Sequence, residues 1–126
     1  MNENEISFAI IESAIEVHKT LGGPGLLESV YEEALVWELE QKGFKLERQQ
    51  AIPISYKGNK LASTLRLDLL VNDAVIVEIK SVVAFNPIFE AQLLTYLRLL
   101  NKRLGLVLNF GCPTLKEGIY RVVNRL

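Results

Sequence analysis

Asp68, Glu78 and Lys80 stand in the spacing D-x9-E-x-K, and each interrupts an otherwise apolar run. Asp68 lies within Leu65-Arg66-Leu67-Asp68-Leu69-Leu70-Val71, and the other two within Ala74-Val75-Ile76-Val77-Glu78-Ile79-Lys80. Two carboxylates on neighbouring strands repel unless positive charge sits between them. Oxygen ligands of this kind suit Mg²⁺ or Mn²⁺, held by one or two carboxylates together with waters and substrate phosphate oxygens. Such an ion polarises a phosphoryl group and activates water, and Lys80 could orient that water or stabilise developing negative charge. The chemistry these parts suit is phosphodiester hydrolysis.

Whether the three meet depends on strand register, because a one-residue slip sends every side chain to the opposite face. Period-two alternation puts Leu65, Leu67, Leu69 and Val71 on one face, to be matched by Val75, Val77 and Ile79. These faces coincide when Val71 pairs with Val75 across a three-residue loop, and that register sets Asp68 opposite Glu78. A two-residue loop at Asn72-Asp73 would pair Asp68 with Val77 and split the acids. The same residues also read as an ion-pair ladder on a solvent-facing sheet, worth about 0 to 1 kcal/mol per exposed pair. Leu70 and Ile76 share the charged face and imply a covering helix, so the charges would be partly buried.

The elements that must position these groups follow from periodicity and turn chemistry. Ile6, Ile10, Ala14, Val17 and Leu21 have helical spacing, giving a first helix that stops at Gly22-Gly23-Pro24. A second helix starts near Gly25 or Leu26 and runs to Lys42, with Leu27, Tyr31, Ala34, Leu35 and Leu39 as its buried stripe and Gly43 as its stop. Strand segments are expected over Phe44 to Gln50 and Ile52 to Tyr56, then a turn at Lys57-Gly58-Asn59-Lys60, then the two strands carrying the acids. Asn86-Pro87 starts a third helix, which carries Ile88, Ala91, Leu94, Thr95 and Leu99 to about Asn101. Leu104 to Phe110 reads as a fully buried strand and Ile119 to Val123 as a short edge strand. The order is α-α-β-β-β-β-α-β-β.

At 126 residues and 49% hydrophobic content, residues 1–126 are expected to form a single domain that folds alone. No apolar run approaches the roughly 20 residues a membrane-spanning helix needs, and Met1-Asn2-Glu3-Asn4-Glu5 lacks the positive start of a signal peptide. A soluble, cytoplasmic protein without membrane contact is the expectation. The single cysteine, Cys112, rules out an intrachain disulfide and a four-cysteine metal site, and it reads as a small residue in a turn. A net charge of −1 carries no overall basic excess for phosphate binding. Lys42, Lys45, Arg48, Lys57 and Lys60, with Lys102 and Arg103 further on, read as solvated surface but could line a groove.

Asp68 with Glu78-Ile79-Lys80 resembles the PD-(D/E)XK nuclease signature, without the proline that often precedes the aspartate. Gly25-Leu26-Leu27-Glu28-Ser29-Val30-Tyr31 is similar to the GxxExxY motif of a family of small proteins assigned to that superfamily. The likeness extends over nearly the whole chain, through Val17-His18-Lys19, Leu67 to Val71, Ala91 to Leu97 and Gly105 to Gly111. Gln92-x-x-x-Tyr96 resembles the QxxxY motif of RecB-like nucleases, and residues four apart share a helix face.

The resemblance implies a restriction-endonuclease-like α/β (α+β) core, a mixed central sheet flanked by helices, and a Mg²⁺- or Mn²⁺-dependent nuclease. It implies Asp68, Glu78 and Glu28 as metal ligands, Lys80 as the group that positions the nucleophile, and Gln92 and Tyr96 as supports for substrate or lysine. Glu32, one turn beyond Glu28, is expected in solvent. His18, the only histidine, is expected to cap or pack the end of the first helix. The implied partner is nucleic acid, DNA before RNA. Two further readings stay open: a non-catalytic binding or assembly module keeping the same fold, with Phe85, Ile88 and Phe89 as a homodimer or protein-partner contact, and a small phosphate-ester hydrolase.

Overall fold

The computed structural model describes residues 1–126. Asn2 starts α1 (Glu3–Thr20) through a capping box, its side chain accepting from Glu5 N at 2.9 Å while the Glu5 carboxylate accepts from Asn2 N at 3.1 Å. After the glycine turn, α2 (Glu28–Gln41) packs beside it. Strands β1 (Leu46–Tyr56), β2 (Asn59–Val71) and β3 (Val75–Lys80) follow, then α3 (Ile88–Leu100), β4 (Leu104–Asn109), a single 3-10 turn (Leu115–Gly118) and β5 (Ile119–Val123). The five strands form one mixed sheet in the order β1-β2-β3-β4-β5. Only the β3–β4 pair is parallel, and α3 makes its crossover. Both central strands are buried along their length except at Lys80, so they read as continuous apolar runs.

Helices α1 and α2 cover one face, where Ile6, Ile10, Ala14, Val17, Tyr31, Leu35 and Leu39 meet Leu69, Val71, Val75, Val77 and Ile79. Helix α3 covers the other, where Leu93, Tyr96 and Leu97 meet Ile52, Leu67, Leu70, Ile76 and Val107. The mixed sheet between helical layers is the architecture expected of a restriction-endonuclease-like core. The two strand segments expected before the Lys57 turn run together as β1.

Three packing expectations change. Leu27 is not in the α2 stripe but exposed, because α2 begins one residue after it; Glu32 and Val36 are buried in the stripe instead. On α3 the buried face is Leu93, Tyr96 and Leu97, whereas Ile88, Ala91, Thr95 and Leu99 are exposed. On β2, Leu65 and Leu67 belong to the α3-side core while Leu69 and Val71 belong to the α1/α2 side. Strict alternation therefore breaks at Asp68. Its neighbour across the pairing with β1 is Gln49, which sits in the left-handed region at φ 50° between the pairs Arg48–Leu69 and Gln50–Leu67. Both strands change face there, and the break lies at the acids.

Candidate active site

The β2–β3 register is the one that brings the acids together: Val71 pairs with Val75, Leu70 with Ile76 and Leu69 with Val77. The turn between them holds Asn72 and Asp73 at φ 50° and 54°, which asparagine and aspartate tolerate better than most residues. Beyond Leu69–Val77 the backbone ladder stops and the carboxylates take over. Glu78 Oε2 accepts from Asp68 N at 2.7 Å, and Asp68 Oδ2 accepts from Ile79 N at 2.8 Å. Each acid is thus tied to the other's strand.

Glu78 is 7% exposed, and its carboxyl is pushed up to about 8. Burial is the main cause, the Asp68 charge adds to it, and the Asp68 N–H and the Lys80 ammonium oppose it. Lys80 has no ion-pair partner; its ammonium lies 4.4 Å from the centre of the Phe89 ring. Tyr96 is buried on α3, and its hydroxyl is held above the usual range by burial and then by the charges of Glu78 and Asp68. It shares a hollow of about 300 Å³ with Gln92, Leu65, Ile88, Ala91 and Thr95, so the two QxxxY residues do face one space. Gln92 itself is exposed.

The acids of α2 divide differently from expectation. Glu32 is 6% exposed rather than solvated, and it stands on the Asp68 side. Arg48 donates to its Oε2 from Nε at 3.2 Å and from Nη2 at 3.1 Å, and Gln49 Nε2 bridges its Oε1 at 2.8 Å to Asp68 Oδ1 at 3.3 Å. Burial raises its carboxyl, Arg48 opposes that, and the charge of Asp68 adds to it. Spacing held the signal for Glu32, since Leu35, Val36 and Leu39 follow it at i+3, i+4 and i+7. Nothing in the sequence marks Gln49, because a left-handed glutamine inside a strand carries no local signature.

Glu28 is exposed, and its Oε2 accepts from Ser81 N at 3.1 Å. Ser81 Oγ donates to Leu26 O at 2.9 Å, so the loop before α2 clasps the residue that follows Lys80. Tyr31 secures the same loop: its hydroxyl donates to Gly23 O at 2.7 Å and accepts from Leu26 N at 3.2 Å, while its ring stacks on Phe110 at 4.4 Å. Asn109 pins the next residue, accepting from Val82 N and Gly111 N at 3.0 Å and donating to Val82 O at 3.1 Å. His18 lies outside this cluster, buried against Phe110, with Nε2 at 3.0 Å from Cys112 O.

No three Asp, Glu, His or Cys side chains converge on a single point. The donor set still fits a hard divalent ion, since Mg²⁺ is commonly held by one or two carboxylates with water and phosphate oxygens completing the shell. Asp68 and Glu78 lie close enough for the Asp68 charge to add to the effect of burial on the Glu78 carboxyl, and a cation between them would offset that repulsion.

A family model described as PD-(D/E)XK nuclease superfamily matches residues 4–122. The chain belongs to the PD-(D/E)XK nuclease superfamily. Comparison with curated proteins and with solved structures gives no match. Nucleases of this superfamily generally use divalent metals and act on nucleic acid, and the matched segment includes the acid pair, Lys80 and the Gln92–Tyr96 helix. No helix is long and apolar enough to cross a membrane.

Proposed function

We propose that this superfamily member is a metal-dependent nuclease that hydrolyses phosphodiester bonds in nucleic acid. The observation that carries the reading is the interlock of Asp68 and Glu78, each bound to the other's strand, at the point where the β2–β3 ladder stops. Asp68 and Glu78 would hold Mg²⁺ or Mn²⁺, which when bound would polarise the phosphoryl group and lower the pKa of a water. Lys80, with no competing carboxylate in contact, orients the nucleophile or meets charge building on the phosphoryl oxygens. Gln92 and Tyr96 position the substrate from the α3 side.

Both α2 acids have a place in this scheme. Glu32 has both oxygens engaged by Arg48 and Gln49, so it acts on the pair through its charge and through the Gln49 bridge. Glu28, whose Oε2 is taken by Ser81 N, has Oε1 unengaged and would complete the shell of a bound ion through water. Glu28 and Tyr31 support the finer GxxExxY assignment, since both serve the clasp behind Lys80, and Gly25, at φ 109°, takes a backbone conformation in the same loop that favours glycine.

Of the three residues read as an assembly contact, Phe85 stacks on Tyr120 at 3.7 Å and packs with Phe89, both partly buried, against the α3-side core, while Ile88 is exposed. The test is Mg²⁺-dependent cleavage of a mixed panel of DNA and RNA by wild type, Asp68→Asn and Lys80→Ala. Loss in both variants with unchanged circular dichroism supports the proposal; cleavage retained at wild-type rate in both refutes it.

A further inference from the structure

The outer part of the β1–β2 hairpin lies beyond both helical layers. From Asn59 to Thr64 every residue is exposed, and so are Ser55 to Gly58 on the way out. Taking about 3.4 Å per residue, the ribbon extends roughly 15–20 Å past the Ile52–Leu65 pair. A two-stranded ribbon without a covered face is marginal by itself, and burial does not account for its length.

Its composition departs from that of the rest of the chain. No acidic residue occurs between Glu47 and Asp68, whereas Arg48, Lys57, Lys60 and Arg66 do. Of the chain's 14 Lys and Arg these are four, which leaves ten elsewhere against all 15 acidic residues. Arg48 is committed to Glu32, but Lys57, Lys60 and Arg66 have no carboxylate partner. Turn chemistry points the same way. Tyr56 pairs with Asn59 across the two-residue loop Lys57-Gly58, with φ 50° and 81°. The first position of such a loop favours asparagine, aspartate or glycine, so a lysine there is conformationally disfavoured and the turn itself does not call for it. Its ammonium has only the Tyr56 ring near it, 5.5 Å from the centroid.

We propose that this hairpin is a docking arm for double-stranded DNA, with Lys57, Lys60 and Arg66 neutralising phosphates and the ribbon seated in the major groove. The B-form major groove, about 12 Å wide, admits a two-stranded β-ribbon, whereas that of A-form RNA is too narrow and deep. Arg66 is two residues from Asp68 on the same strand, so a duplex held along the arm leads directly to the acid pair. The inference rests on the nuclease reading for what happens at that end, and it adds the form of substrate and the element that holds it.

The test is fluorescence anisotropy of the full chain with duplex DNA, duplex RNA and single-stranded DNA of equal length, with Ca²⁺ as the only divalent ion, over a salt series. Wild type should bind duplex DNA tightest. The double variant Lys57→Glu/Lys60→Glu should lose roughly 50-fold or more in affinity near 0.1 M salt and lower the salt slope by about 2. Lys57→Arg/Lys60→Arg should bind as wild type, and all three proteins should melt alike. An unchanged slope in the glutamate variant, or equal or tighter wild-type binding to duplex RNA or single strands, overturns the proposal. Mn²⁺ heats measured on the same proteins separate the two claims, because the arm variants leave the acid pair intact and only failure of the catalytic reading would remove those heats from wild type.

Discussion

Replacing Glu78 by glutamine should abolish a specific pH dependence of folding stability. The native Glu78 carboxyl titrates at about 8 against an ordinary value of 4.5. Between those limits the folded protein holds a proton that the unfolded chain has released, so stability falls as pH rises through that window. At about 1.4 kcal/mol per unit, the full loss is on the order of 3–5 kcal/mol. Glutamine is nearly isosteric with the protonated acid and its carbonyl can still accept from Asp68 N. Metal-free wild type and Glu78→Gln should therefore be similarly stable near pH 5, and the variant should exceed wild type by on the order of 3–5 kcal/mol near pH 9. Urea unfolding followed by circular dichroism, with chelator present, measures the difference directly. Glu32 titrates in both proteins and contributes to both curves, so subtracting them isolates Glu78. A wild-type-minus-variant difference that stays constant from pH 5 to pH 9 would refute the assignment of Glu78 as a buried, acid-crowded carboxyl.

Three other outcomes follow. Glu28→Gln should weaken Mn²⁺ binding by roughly 10- to 100-fold in calorimetry while leaving the melting temperature within a few degrees, as expected of a group acting through water. Tyr31→Phe should cost about 1 kcal/mol in urea unfolding, because both partners of the lost hydroxyl, Gly23 O and Leu26 N, lie in a loop that water can reach. Gly111→Ala should be far more damaging, with a loss above about 3 kcal/mol or no folded protein, since a Cβ there would collide with the Val82 backbone that Asn109 holds.

Much of this arrangement was legible in the residues because one requirement, burial of apolar faces, also determined the site. Pairing Val71 with Val75 satisfies the apolar strands and brings Asp68 to Glu78, so a pattern of hydrophobic residues predicted a polar constellation. The compact apolar run Leu104 to Phe110 likewise identified a fully buried strand, β4. Alternation misled at Leu65 and Leu67, because the change of face at Gln49 and Asp68 depends on a backbone conformation that side-chain type does not announce. On α3, leucines lie on several sides of the helix, and periodicity alone did not separate the buried Leu93 and Leu97 from the exposed Leu99. Glu32 departs from the expectation of a solvated acid because its spacing to Leu35, Val36 and Leu39 places it on the buried stripe despite its charge. The clasp from Leu26 and Glu28 to Ser81 joins positions more than fifty residues apart and had no local signal.

Calorimetric titration of wild type and Glu78→Gln with Mn²⁺ near pH 8 tests the central claim most directly. A saturable binding heat in wild type that vanishes in the variant is the result predicted. Equal heats in the two proteins, or none in wild type, would contradict it.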